Sequence, residues 1–169
     1  MLATIEEAIN ITDRINQDKK KAEYYLLNYE KEYLLYKDKK QEYLTYKEEV
    51  DENVGGGKTN ITSNPTERVV MKSIEFEGSY EPYKWLKAVE IVQRSLGERK
   101  NIFIKVRREA DKVAHIGKGR KGWIVFAQRR YAEEMERRFI QPEVFMSERT
   151  LKTWWQDIIN QTMVVVNQI

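Results

Sequence analysis

Four side chains able to read a duplex share one face of a stretch near the end of the chain. Arg149, Lys152, Thr153 and Gln156 recur at i, i+3, i+4 and i+7, the spacing of one side of an α-helix. Arg, Lys and Gln reach base edges or phosphates in a major groove, because they carry hydrogen-bond donors on long stems. Ser147 stands just before them as an N-cap, its hydroxyl able to accept from an unpaired amide of the first turn. Glu148 follows, at the positive end of the helix dipole. The opposite stripe, Leu151, Trp155, Ile158 and Thr162, is mostly apolar and suited to packing. Upstream, Arg129 to Phe139 has the pattern of a short amphipathic helix, and Pro142 separates the two, since proline breaks a helix interior. A short helix, a turn and a capped second helix with a polar outer face are the layout of a helix-turn-helix. An ordinary surface helix also carries a polar stripe, so this face alone weighs the two readings evenly.

Charge tips the balance. The chain has 30 Lys and Arg against 27 Asp and Glu, a net charge of +3. Residues 94–130 hold twelve basic and three acidic residues, whereas residues 1–53 hold nine basic and thirteen acidic. Positive charge concentrated beside a candidate reading helix points to a nucleic-acid partner. Lys105, Arg107, Arg108, Lys118, Arg120 and Lys121 are the expected phosphate contacts, with Ser147 at the helix start.

Other chemistry finds little support in the residues. There is no cysteine and only one histidine, which removes thiol chemistry and makes a zinc site improbable. His115 lies in a Gly/Lys-rich loop with no partner constellation around it. Glu133, Glu134 and Glu136 read as helix surface charge rather than as an acid/base pair. Gly57-Lys58-Thr59 has the ending of a phosphate-binding loop, but position 52 is Glu where that motif needs glycine, and no strand precedes it. The expectation is a non-enzyme without cofactor or metal. The first residues lack a secretory pattern, and the longest apolar run, Trp123 to Ala127, is far too short to cross a membrane. A cytoplasmic protein is expected.

The positioning elements all read as helical. Thr4 to Ile15 has helical apolar spacing and a Thr4/Glu7 capping box. Asp18 to Val50 is a longer helix rich in Lys, Glu, Tyr and Leu, without Gly or Pro. Val54 to Pro65, with Gly55-Gly-Gly57, reads as a flexible linker. Asn64 then caps a helix with Pro65 at its first position; Val69, Val70, Ile74 and Phe76 supply its buried side, and Gly78 ends it. Tyr80 to Leu96 follows, with Trp85, Leu86, Val89, Ile91, Val92 and Leu96 on a wide apolar face, stopped by Gly97. In Glu98 to Ala114, Ile102, Phe103, Val106 and Ala110 point inward while Lys105, Arg107, Arg108 and Lys112 face out. Trp123 to Phe126 has strand-like composition but runs into Ala127 to Tyr131 without a turn signal, so helix is preferred. The predicted fold is all-α: an N-terminal helical region over 1–53, a linker over 54–65, and a helical domain over 66–169 ending in the helix-turn-helix.

Taken in order, the Lys/Tyr-rich first helix, Val54-Gly-Gly-Gly57 with Asn64 to Glu67, and Ser147 to Thr150 resemble a known pattern. It is that of small phage-encoded transcriptional activators of late genes, the RinA and ArpU types, whose C-terminal part is similar to promoter-reading region 4 of bacterial sigma factors. The resemblance implies DNA binding upstream of phage late genes, contact with host RNA polymerase and a place in the bacterial cytoplasm. Carried over, the reading helix begins at Glu148, with Tyr131 to Phe139 as its support. Two stretches depart from the pattern: His115 to Gly122 is longer and more basic, and Ile140 to Met146 exceeds the roughly three- or four-residue turn of a tight helix-turn-helix.

The leading expectation is therefore a sequence-specific regulator bound to double-stranded DNA. A phage small terminase subunit, which also joins such a motif to oligomerising helices, is the alternative. A helical adaptor using the Tyr/Leu face of residues 24–46 is a third reading; that same face is where a homo-oligomer is expected to form. Three glycines and several short polar residues cannot bury enough to order residues 55–64. Limited proteolysis is therefore expected to cut there first, and first cuts within 66–96 would defeat the two-part division.

Overall fold

The computed structural model describes residues 5–46, 65–114, 122–139 and 145–169. It is all-helical: α1 (Ile5–Thr45), α2 (Pro65–Ser79), α3 (Glu81–Ser95), α4 (Glu98–Ala114), α5 (Gly122–Phe139) and α6 (Glu148–Gln168), with no strand among the described residues. Most of the 54–65 linker, the His115–Lys121 loop and residues 140–144 lie outside the described residues. No described helix is long and apolar enough to cross a membrane.

Two helices were expected before the linker with the break between Ile15 and Asp18; α1 instead runs through that point and is broken only by a kink at Asn28. Nothing between Ile15 and Asp18 forces a stop, and continuing a helix costs less than nucleating another. The irregularity comes later, at Asn28, whose φ of −102° and ψ of 15° leave the helical region. Its side-chain amide donates to the Tyr24 carbonyl at 3.0 Å, the local competition with the backbone ladder that short polar side chains offer. Packing groups the chain near this point. One compact unit takes the chain through Tyr29 and again from Lys84, and the other runs from Glu30 to Tyr83. This division falls inside α1 rather than after it.

The larger unit is built around α4. Ile102, Phe103, Ile104 and Val106 are all buried, so the middle of α4 is apolar on nearly every side, as a central helix must be. Around it the core gathers Ala22 and Leu26 of α1, Trp85, Val89 and Val92 of α3, Ile124, Tyr131 and Met135 of α5, and Leu151, Trp155 and Ile158 of α6. The predicted apolar face of α6 is the buried one, and of the α3 face Trp85, Leu86, Val89 and Val92 are buried while Ile91 and Leu96 are half-buried. Asn101 secures the tight α3–α4 turn at Gly97, donating to the carbonyls of Gln93 at 2.9 Å and Leu96 at 3.0 Å. α5 begins at Gly122, so the segment from Trp123 is helical and continuous with Arg129–Phe139.

The smaller unit is an aromatic cluster. Phe76 of α2 stacks on Tyr80 at 5.1 Å, and Tyr36 of α1 stacks on Tyr83 at 5.2 Å. The Tyr36 hydroxyl donates to Glu77 at 2.8 Å, and Lys40 pairs with the same carboxylate. Burial, followed by the bond to Glu77, pushes the Tyr36 hydroxyl up to about 12. For Glu77 itself burial works upward, but the bonds from Lys40, Tyr36 and Tyr83 outweigh it, and its carboxyl lies below the ordinary range.

The expected buried side of α2 needs correction. Phe76 is buried, but Val69, Val70 and Ile74 are 52%, 51% and 61% exposed, as is Met71 at 63%. α2 rests on its neighbours through Phe76 and Glu77, and the apolar residues nearer its N-terminus stay exposed.

The core of the larger unit offers a direct test. Leu151 is fully buried. Leu151→Ala is expected to cost about 2–5 kcal/mol through lost transfer energy and the cavity left behind. Chemical denaturation of the purified variant measures it, and a loss below about 1 kcal/mol would mean that α6 is not packed this way.

Candidate nucleic-acid interface

Ser147 caps α6 as its sequence position predicts. Its backbone is extended and its Oγ accepts from the Thr150 amide at 3.1 Å. Gln128 of α5 donates to the Met146 carbonyl at 2.8 Å, holding the residue before the cap. Below the cap the helix is anchored on its inner side. Leu151, Trp155, Ile158, Ile159 and Thr162 are buried, and the Thr162 hydroxyl donates back to the Ile158 carbonyl at 2.9 Å. The Trp155 indole N–H donates to Glu23 of α1 at 2.9 Å. Trp154, half-buried beside it, meets Phe103 at 5.9 Å and Tyr131 at 6.3 Å edge-on. With one side pinned, the outer face is determined: Arg149, Lys152, Thr153 and Gln156 are all exposed on it.

Two of the four are held within their own helix. Lys152 pairs with Glu148 at 2.6 Å, and Gln156 donates to Asn160 at 3.1 Å. Such i,i+4 contacts between exposed groups are weak and exchange readily for an outside partner. The structure brings the four proposed base-reading residues onto one surface.

The phosphate candidates fare differently. Lys105 is half-exposed and lies 4.0 Å from both Glu109 and Glu134. Arg107, expected to face out, is buried instead. Its guanidinium lies over the Trp123 ring at 4.4 Å and the Trp155 ring at 5.1 Å, with Asp111 at 3.5 Å and Glu23 at 3.8 Å. Its Nε and Nη1 have no hydrogen-bond partner. Burial lowers its pKa, opposed by the charges of Asp111 and Glu23. Arg108 is half-buried; its Nε donates to the Leu26 carbonyl at 2.7 Å and its guanidinium lies over Tyr29 at 5.3 Å. These two arginines join α4 to α1, α5 and α6, because a long apolar stem lets arginine reach a partner through a core. Lys118, Arg120 and Lys121, with His115, lie outside the described residues.

A second correction concerns the acidic triplet. Glu133 and Glu136 are exposed, but Glu134 is buried. It receives Arg137 at 2.7 Å, Arg130 and Arg138 at 3.3 Å each, and Lys105 at 4.0 Å. Burial works to raise its pKa, but Arg137 first, then Lys105 and Arg138, outweigh it and hold the carboxyl below its ordinary range. The signal was in the sequence: arginines stand four before, three after and four after Glu134, the spacings at which helix neighbours meet.

Other sites are modest. An open groove of about 420 Å³ is lined by Val125, Gln128, Arg129, Ala132, Glu133, Glu136 and Phe145, and there Arg129 and Glu133 pair with each other at 3.2 Å. Among the described residues, no group of three or more His, Cys, Asp or Glu is placed to hold a metal ion. No protein-family model matches the chain, and no curated protein or solved structure matches it either.

Glu134 carries a pH prediction. An unfolded glutamate titrates near about 4.3, and in the fold Glu134 titrates lower. Its stabilisation is therefore complete above the unfolded value and fades as pH falls through the folded one. Glu134→Gln is expected to cost about 1–3 kcal/mol at neutral pH, the worth of hydrogen bonds to a charged group, and to flatten the acid limb of the stability curve. Melting temperatures of both proteins from neutral pH to below 4 test this; parallel curves would refute it.

Proposed function

We propose that this protein is a sequence-specific DNA-binding transcription regulator in which α6 is the reading helix and α5 its support. The observation that carries this reading is the division of α6. Its inner side is buried at Leu151, Trp155 and Ile158, and its outer side exposes Arg149, Lys152, Thr153 and Gln156 just after a Ser147 cap. A helix docked in a major groove needs these two properties together: a rigid seat, and donors and acceptors near its N-terminus.

Affinity must come from the backbone, and here the reading differs from one based on net charge. Arg107 is buried, so it leaves the proposed set of phosphate contacts; Arg108 is half-buried, with its Nε given to the Leu26 carbonyl. Lys105 remains on the surface, and Lys118, Arg120 and Lys121 remain the candidates of the basic loop. Action at phage late promoters with host RNA polymerase rests on the family resemblance of the Gly-Gly-Gly…Asn-Pro-Thr-Glu and Ser-Glu-Arg-Thr segments.

Arg149→Ala and Gln156→Ala change side chains on the outer face only, so their melting curves should match the parent. Each should relax the preference at one base pair by about 1–3 kcal/mol if its contact is bidentate. Binding to operator and scrambled duplexes at fixed salt, beside a melting curve, measures both effects. Full discrimination retained in both variants would mean that Glu148–Gln156 does not read DNA.

A further inference from the structure

The lysines and arginines expected at phosphates all come from residues 105–121, and none from the net-acidic N-terminal region. The fold nevertheless sets part of α1 beside α6. Within the larger unit, Glu23 of α1 accepts from the Trp155 indole at 2.9 Å and lies 3.8 Å from Arg107. Ala22 and Leu26 enter the same core as Leu151 and Trp155, and Leu27 is half-buried against it.

The two helices run the same way. Farther along α1, the Tyr29 hydroxyl donates to Glu90 of α3 at 2.7 Å. Farther along α6, Asn160 and Gln161 line one shallow hollow with Val92 and Ser95 of α3. Both helices therefore lead from the Glu23–Trp155 bond toward the same part of α3. One turn back from that bond, α1 lies alongside the first turns of α6, the end that carries Arg149 and Lys152.

Two lysines stand there. Lys19 and Lys20 are four and three residues before Glu23, so they continue its side of α1, in line with Leu27 four residues after it. Lys20 is exposed and Lys19 half-buried, and neither forms an ion pair among the described residues. The neighbouring carboxylates are engaged or turned away. Glu23 is taken up by Trp155 and Arg107, and Glu148 by Lys152. Asp18 falls on the flank of α1 away from Lys20, and the exposed Asp13 lies two turns before it.

A helix seated in a major groove has a phosphate backbone along each wall, and cations beside the helix hold it there. We propose that Lys19 and Lys20 of α1 form a phosphate-binding ridge beside α6, which makes the N-terminal helix part of the DNA-binding surface. This ridge depends on α6 being the reading helix.

Titration of the full chain with a mixed-sequence DNA duplex over a range of salt concentrations tests the ridge, because phosphate contacts carry no sequence information. In Lys19→Gln/Lys20→Gln the log–log salt slope should fall by about 0.9 for each lysine. Lys19→Arg/Lys20→Arg should keep the parent slope, since it keeps both charges. Arg14→Gln should keep it too, because Arg14 is nine residues before Glu23 and on the opposite side of α1. Melting curves show that each variant is folded, and the arginine pair separates lost charge from lost packing at the half-buried Lys19. A parent slope in the glutamine pair, an equal loss in the arginine pair, or a drop as large in Arg14→Gln would overturn the ridge. Each of these would leave α6 as the reading helix, which stands on base discrimination by Arg149 and Gln156. A parent that binds no duplex would overturn both.

Discussion

The Arg107 guanidinium, held between the indoles of Trp123 and Trp155, is the contact on which the larger unit depends. It brings one cation from α4 into touch with α5, α6 and, through Glu23, α1. Burying a guanidinium is costly, and two of its nitrogens are without hydrogen-bond partners. What offsets that cost is a pair of carboxylates and two aromatic faces, and a cation over a desolvated indole is worth up to about 2 kcal/mol or more. Removing any one partner leaves the rest uncompensated, so the arrangement tolerates little rotation of α6. The direction in which Arg149 and Gln156 point is thus set from inside, by a residue that touches neither.

Glu134 is the counterpart of opposite sign. It gathers three arginines of its own helix and Lys105 of α4, so α4 and α5 exchange charge in both directions. The net excess of cations in residues 94–130 is consequently not all available to a polyanion. Arg107 is buried, Arg108 is half-buried on the Leu26 carbonyl, and Arg130 is held by Glu109, Glu133 and Glu134. Summed charge along a sequence counts a buried, compensated arginine the same as a free one. In this chain that difference separates the affinity expected of the basic segment from what its described part presents.

The amphipathic faces of α3 and α6 were legible in the sequence, because apolar residues at helical spacing meet a core on one side only. The Ser147 cap was legible for a similar reason: a serine before a polar first turn has a single backbone use. What escaped was tertiary. Period shows that Val70 and Ile74 share a side of α2, but not that both stay exposed. Type suggests that Arg107 is solvated, but not that two tryptophans distant in sequence converge on it. The Glu134 cluster lay between these cases, its arginine spacings visible and its burial not. The kink at Asn28 has no sequence marker stronger than asparagine's general readiness to bond its own backbone.

The placement of the aromatic residues has a consequence for how this molecule is observed. All four tryptophans, Trp85, Trp123, Trp154 and Trp155, belong to the larger unit, while residues 30–83 contain tyrosine and Phe76 but no tryptophan. The indoles therefore all lie in the larger unit's residues. The Tyr36–Phe76–Tyr83 cluster holds no indole, so an unfolding curve taken from tryptophan fluorescence does not report on it directly. Helical content, to which both units contribute through α1, is the signal that sees the whole chain, and a mismatch between the two curves would give the smaller unit's own stability.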